Sequence, residues 1–335
     1  MIIFTIIGAL IGAGFASGQE IYLFFYKYGK WGLWGIFLCS FIIGFIIYRT
    51  FNIIYTKNIN NYTDFLNILF KNRRVSCFIN IIINTFLCIT FFIMISGFGA
   101  YFKQEFGISN YIGASILAII CYFVFLGNIE KIAKINFIVV PTLVLFIFVV
   151  GIKNVFCIST NEFFTNIEEE NGVFGIVQAV IYASYNLILL IPVLINLNKF
   201  IKGKKHIIYI STFVGIIMCI ITILIFCLLV NVKIGFNELE MPVVYVLKTK
   251  FWKFRMGYGI IILIAIFTTA ISVGISFLNN VCKNKNSFPQ FALVLCITSV
   301  LISNFGFSNL VKISFPLFGY LGLIQMWKCW KLKYA

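Results

Sequence analysis

The residues best placed to do chemistry in this sequence lie in one stretch, Gly8-Ala9-Leu10-Ile11-Gly12-Ala13-Gly14-Phe15-Ala16-Ser17-Gly18-Gln19-Glu20. It sits inside an apolar segment from Ile2 to about Tyr28, long enough to cross a bilayer, for which roughly 20 residues are needed. A helix that only had to span would not carry Gly8, Gly12, Gly14 and Gly18, each costing up to about 1 kcal/mol relative to Ala. Ser17-x-x-Glu20 has the spacing of a capping box, in which a Ser hydroxyl and a Glu carboxylate satisfy the free N–H groups of a new helix. The pattern predicts one helix ending after about Ile11, a short unwound link, and a second helix starting near Ser17. Backbone freed at membrane depth is tolerated only where protein buries it or where it lines a cavity, so the link reads as a small-molecule site. A helix restarting at Ser17 would aim N–H groups at a carboxylate, and the glycines would let a ligand approach the backbone. Glu20, in the first turn of that helix, reads first as a cap and second as a proton carrier.

The elements around this stretch follow from composition. Of 335 residues, 61% are hydrophobic and 11% charged, and the mean hydropathy is +1.04. That excludes a water-soluble domain and predicts an all-α integral membrane protein of about ten transmembrane helices. The formal charge of +16 does not point to nucleic acid, because the basic residues sit in short loops between apolar runs, the pattern of cytoplasmic loops. Even-numbered loops and the C-terminus carry most of them, which places both termini in the cytoplasm. Lys233, Lys248, Lys250, Lys253 and Arg255 run against that assignment. The first segment has neither the basic start nor the small-residue end of a cleavable signal. The ten cysteines show no C-x-x-C pairing and fall largely within spans, where Cys is a small hydrophobe. The lone His206 cannot assemble a ligand set, and no H-E-x-x-H, G-x-S-x-G or phosphate-binding glycine loop is present, so no enzyme and no cofactor is expected. No oligomeric partner is assigned.

The predicted spans are Ile2–Tyr28, Trp31–Tyr55, Cys77–Phe102, Tyr111–Leu126, a fifth opened by Lys131 and Lys134, Gly172–Leu197, Ile207–Val230, Phe254–Val281, Pro289–Ser303 and Leu310–Trp327. An acidic loop with Glu162 and Glu168-Glu169-Glu170 precedes the sixth, and Met241–Lys250 reads as a short surface helix. Asn80, Asn84 and Cys88 recur at i, i+4 and i+8 on the third span as a polar stripe that, with Thr85, could line a pathway, although such residues more often hold helices together. The spans divide into halves of five, 1–155 and 172–335. An odd number per half inverts one against the other and makes the sixth span the counterpart of the first. It too carries polar residues at mid-span, Tyr182-Ala183-Ser184-Tyr185-Asn186, with Pro192 beyond. Paired interruptions in inverted halves are a sequence pointer to a transporter's binding site; interhelical hydrogen bonding is the alternative.

The glycine-rich stretch with Phe15-Ala16-Ser17-Gly18-Gln19-Glu20 resembles the start of the YkvI-like family of bacterial membrane proteins, within the amino acid–polyamine–organocation superfamily. That resemblance implies the LeuT-type fold of five plus five inverted helices, with the first and sixth broken, in the bacterial cytoplasmic membrane. It implies a cation-coupled secondary transporter of a small organic solute, an amino acid above all, working by alternating access. A solute-sensing subunit of the germinant-receptor type, on the same fold, is the alternative. The substrate would then face Ala13, Gly14, Phe15, Ala16 and Ser17 on one side and Tyr182, Ser184 and Asn186 on the other. A sodium site would fall at Gly8 and Ile11 of the first span with Ala265, Thr268 and Thr269 of the eighth; the plainer reading has both threonines bonding back to their own helix. The run Glu130-Lys131-Ile132-Ala133-Lys134 resembles the entry to the fifth span of proton-coupled permeases. There a lysine takes the sodium's place, which makes Lys134 the rival coupling group to Na⁺. An interfacial lysine reaching for water is the plainer reading of Lys134.

Overall fold

The computed structural model describes residues 2–332 other than 60, 71, 128–131, 158–171, 233–234, 236–238 and 283–284, with backbone alone at 63, 73, 132–137 and 285. The acidic run at 162–170 lies outside the described residues. The first segment is wound in pieces: α1 (Ile2–Leu10), α2 (Ala13–Ser17), α3 (Gln19–Ile21) and a π-helical turn over Tyr22–Tyr26. Then follow α4 (Gly29–Thr56), α5 (Tyr62–Phe70), α6 (Arg73–Phe106), α7 (Asn110–Leu126) and α8 (Ile132–Cys157). The chain continues with α9 (Phe174–Leu197), α10 (Lys204–Leu229), α11 (Pro242–Lys250), α12 (Trp252–Val281), α13 (Phe288–Ile302) and α14 (Phe307–Lys331).

Eight of these helices are long and apolar enough to cross a membrane, and α7 is a shorter apolar helix of 17 residues. The protein is therefore an all-helical, multi-pass membrane protein, and the expected span boundaries hold to within a few residues. Ends are marked where the sequence marks them. Asn72 caps α6 by accepting from the Arg74 N–H at 2.9 Å, and Gly107 closes it in the left-handed conformation at φ +69°, which glycine adopts without steric cost.

α9 is the most buried of the spans and packs between α4 and α14, while α12 packs on α6 and α8. Small residues permit the closest approaches. A Cβ on Gly44 of α4 would sit 3.1 Å from the Ser211 carbonyl of α10, and one on Gly215 of α10 would sit 3.1 Å from the Ser40 carbonyl of α4. Such backbone-to-backbone crossings are how membrane helices gain packing where lipid offers no hydrophobic drive. Asn84 accepts from Asn280 at 2.7 Å, so that part of the polar stripe ties α6 to α12, as expected for it.

Two expectations fail here. The sixth span is not broken: α9 runs without interruption through Tyr182–Asn186. Asn186 Nδ2 donates to the Tyr182 carbonyl at 2.9 Å, and the Ser184 hydroxyl lies between the Ile181 carbonyl of its own helix at 2.7 Å and the Gly319 carbonyl of α14 at 2.5 Å, so these side chains are satisfied without opening the helix. The helix at 242–250 is not a surface element either. Pro242, Val243, Val244, Val246 and Leu247 are buried, because α11 folds down onto α10, α12 and α2.

Candidate functional site

The interruption in the first segment consists of two breaks. The first is at Ile11-Gly12: α1 ends at Leu10, Gly12 is extended, and its carbonyl accepts from the Ala16 N–H at 3.0 Å to start α2. A Cβ on Gly12 would meet nothing within 4 Å, so this break opens onto space. The second is at Gly18, with φ +87°, a conformation that costs an L-residue roughly 1–2 kcal/mol. Ser17 is therefore the last residue of α2 and not the cap of a new helix. Its hydroxyl donates to the Gly14 carbonyl at 2.9 Å and accepts from the Gln19 N–H at 3.3 Å. The expected capping box does not form, because the left-handed glycine turns Glu20 away from the Ser17 backbone.

Glu20 instead folds back over α2. A Cβ on Gly14 would fall 2.3 Å from Glu20 Oε1, so a bare glycine is what lets the carboxyl lie against that backbone. Its other oxygen, Oε2, accepts a short hydrogen bond from the Tyr185 hydroxyl of α9. Glu20 is 3% exposed, and burying a charged group is costly unless hydrogen bonds or a counter-charge compensate. Aromatic rings enclose the pair. Tyr185 stacks on Phe315 of α14 at 5.0 Å between centroids, and Phe24 meets Tyr182 edge-on at 5.2 Å and Tyr185 at 5.7 Å. The Tyr182 hydroxyl is buried and has no hydrogen-bond partner among the described residues. From α12, the Tyr258 hydroxyl donates to the Ala16 carbonyl. The double break is thus held by hydroxyls from two other spans, one on the side chain and one on the backbone.

The expected site residues divide on this geometry. Ala13, Gly14, Phe15, Ala16 and Ser17 are all buried together on α2, and Tyr182 comes to the same place. Ser184 points elsewhere, its hydroxyl 2.5 Å from the Gly319 carbonyl of α14, and Asn186 is spent on its own helix. Of the sodium set, Gly8 faces Val140 of α8, whose Cγ2 would be 2.7 Å from a Cβ there. Ile11 is buried, and Thr269 is half-buried. The Thr268 hydroxyl donates to the Ala265 carbonyl at 3.1 Å, the back-bonded arrangement. α1 packs on α8, α9 and α10, whereas α12 meets α2, so no described hydrogen bond joins the two halves of that set. The side chain of Lys134 lies outside the described residues. Sequence reasoning missed Tyr185 and Tyr258. Tyr185 stood inside the polar run already singled out, while Tyr258 gave no signal beyond a tyrosine in an apolar span.

At one end of the bundle the described residues 239–250 lie over this site. Gln19 Nε2 donates to the Leu239 carbonyl at 2.5 Å, and Val243 of α11 abuts Gly18, its Cγ2 2.8 Å from a Cβ position there. The covering segment is fastened from several spans. Gln104 exchanges hydrogen bonds with the Met241 backbone at 2.8 and 2.9 Å, Glu240 accepts from the Ser308 N–H at 2.7 Å, and Lys250 donates to Asn231. Beside it Arg255 pairs with Glu105. At the opposite ends of α4 and α9 an open cavity of about 770 Å³ lies among Tyr55, Asn58, Asn196, Asn198 and Lys199.

Two curated proteins of Bacillus subtilis (strain 168) are similar to the chain over nearly its whole length. "Uncharacterized membrane protein YkvI" is 27% identical over 326 residues, 96% of this chain and 92% of that protein. "Uncharacterized protein YyaD" is 24% identical over 320 residues, 95% and 92% of the two chains. No family model matches. The chain is a multi-pass helical membrane protein with distant bacterial relatives that span the same length.

Proposed function

We propose that this protein is a secondary transporter of a small organic solute, an amino acid in the first instance, and that Glu20 carries the coupling proton. The first segment and α4 to α14, with α5 and α11 as non-spanning helices, serve as ten spans in two inverted halves, 1–155 and 172–335, that rock around the double break. The observation that carries this reading is Glu20 itself, a carboxyl at mid-segment held by a hydroxyl from another span against the short helix α2 that lies between the two breaks. A carboxyl can accept and release one proton, and the Tyr185 hydroxyl can serve either form by donating to the one and accepting from the other. Intramembrane ionisable residues are costly and mark transport pathways.

Sodium is the weaker coupling ion on this geometry, because Gly8 faces Val140 and α1 packs on α8, α9 and α10, whereas α12, which carries Ala265, Thr268 and Thr269, packs on α2, α6 and α8. The substrate's place is beside Gly12, where the backbone carries no side chain and space is open. No enzymatic step is proposed.

The test is uptake of labelled amino acids by proteoliposomes under an acid-outside gradient, for the wild type and Glu20→Gln. Accumulation that follows the gradient and vanishes in the variant supports the reading. Binding of a solute without accumulation under any proton or sodium gradient overturns it in favour of a solute-sensing subunit.

A further inference from the structure

On the lipid-facing side of the bundle, away from Glu20, α4 and the last turns of α14 enclose an apolar cavity of about 230 Å³. Ile42, Phe45 and Ile46 form one wall, Met326 and the Trp327 and Trp330 indoles the other, and Arg49 lends only its aliphatic stem. The cavity has room for a length of one acyl chain. Among the described residues of α4 and α14, charge gathers at its rim and has a single sign. Arg49 Nη2 donates to the carbonyls of Trp330 and Leu332 at 2.6 and 2.7 Å, which fixes a guanidinium at the C-terminal end of α14. Lys328 and Lys331 stand on the same last turn, their ammonium groups 5.5 and 4.2 Å from the Trp327 ring centroid. Neither α4 nor α14 contains an aspartate or a glutamate. Tryptophan sits at the level of lipid headgroups, with an apolar body and a polar edge, and Trp327 and Trp330 are 47% and 61% exposed. The cavity therefore faces acyl chains, and the three cations face the headgroups above them.

We propose that this groove is a binding site for one anionic phospholipid, its chain against Ile42 and Ile46 and its phosphate among Arg49, Lys328 and Lys331. A neutral lipid would fill the same cavity but gain nothing from the rim, whereas each basic residue near the headgroups favours an anionic lipid by roughly fivefold. The site is remote from the transport reading and does not depend on it.

The experiment is native mass spectrometry of the full-length protein from mixed micelles holding equal phosphatidylglycerol and phosphatidylcholine. The expected result is retention of one phosphatidylglycerol in preference to phosphatidylcholine. In Lys328→Gln/Lys331→Gln that preference should fall by roughly twenty-fivefold, at two charges and about fivefold each. Ile42→Trp, which fills the cavity and leaves the charges, should lose retained lipid of both kinds. Thermal unfolding in lipid-free detergent should match the wild type for both variants. Equal retention of the two lipids overturns the proposal, as does a preference that survives loss of both lysines, or undiminished retention in Ile42→Trp. Glycerol 3-phosphate, which has the charge without the chains, should not displace the lipid; displacement would overturn the assignment to a lipid.

Discussion

The first segment and α9 carry comparable interruptions in sequence, and only one of them breaks. In the first, Gly12 and Gly18 have no side chain with which to satisfy backbone or restrict it, and the chain takes an extended turn at one and a left-handed turn at the other. In α9, Ser184 and Asn186 are polar but can bond to carbonyls three and four residues back, and the helix continues through them. Polarity at mid-membrane is thus a poor sign of unwinding, while absent side chains are a good one. The two regions are complementary: the broken one presents a carboxyl, and the continuous one supplies a rigid hydroxyl, Tyr185, to hold it.

The comparison can be broken most decisively at Glu20. Glu20→Gln should abolish gradient-driven accumulation in proteoliposomes while the purified protein still unfolds cooperatively near the wild-type temperature. Tyr185→Phe removes a hydrogen bond to a carboxyl, worth about 1.5–3 kcal/mol if that group is ionised; thermal unfolding in detergent should register that loss, and uptake should fall with it. Gly14→Ala puts a methyl where Glu20 Oε1 now lies, an overpacking worth about 1–3 kcal/mol, so its damage to transport should exceed its damage to stability. Gly18→Ala forces a left-handed alanine, at roughly 1–2 kcal/mol, and presses on Val243 of the covering segment. The smallest effect belongs to α9. Asn186→Ala loses one local hydrogen bond, about 1 kcal/mol or less, and should leave the apparent affinity for solute unchanged. A strong affinity defect in Asn186→Ala, or none in Gly14→Ala, would reverse the contrast between the two regions.

The span pattern was legible because apolar runs of bilayer length leave few alternatives, and α4, α6, α9, α10 and α12 lie where hydropathy put them. That the first segment breaks was legible too, but not where: only Gly12 and Gly18 turn the chain, while Gly8 lies within α1 and Gly14 within α2, in the stretch expected to be unwound. What sequence spacing could not supply was where side chains go once the backbone turns. The capping-box reading of Ser17 and Glu20 assumed a helix running on from Ser17, and a single positive φ at Gly18 redirected Glu20 toward α9. Tyr258 illustrates the same limit, since its partner, the Ala16 carbonyl, is 242 residues away in the chain. The burial of α11 was hidden for a different reason: Pro242 to Lys250 is too short and too mixed to reveal that its apolar face is covered by neighbouring spans.

The crossing of α4 and α10 at Gly44 and Gly215 has a practical corollary. Where two backbones touch with no side chains between them, there is no alternative rotamer set into which the contact can re-seat, so the two helices are fastened as one lever arm. On the proposed transport reading, a pair of spin labels or fluorophores placed on their exposed faces should keep a fixed spacing through the cycle, and a changed spacing would show that the contact slides. That spacing is a built-in ruler, against which the travel of any other pair of helices can be read.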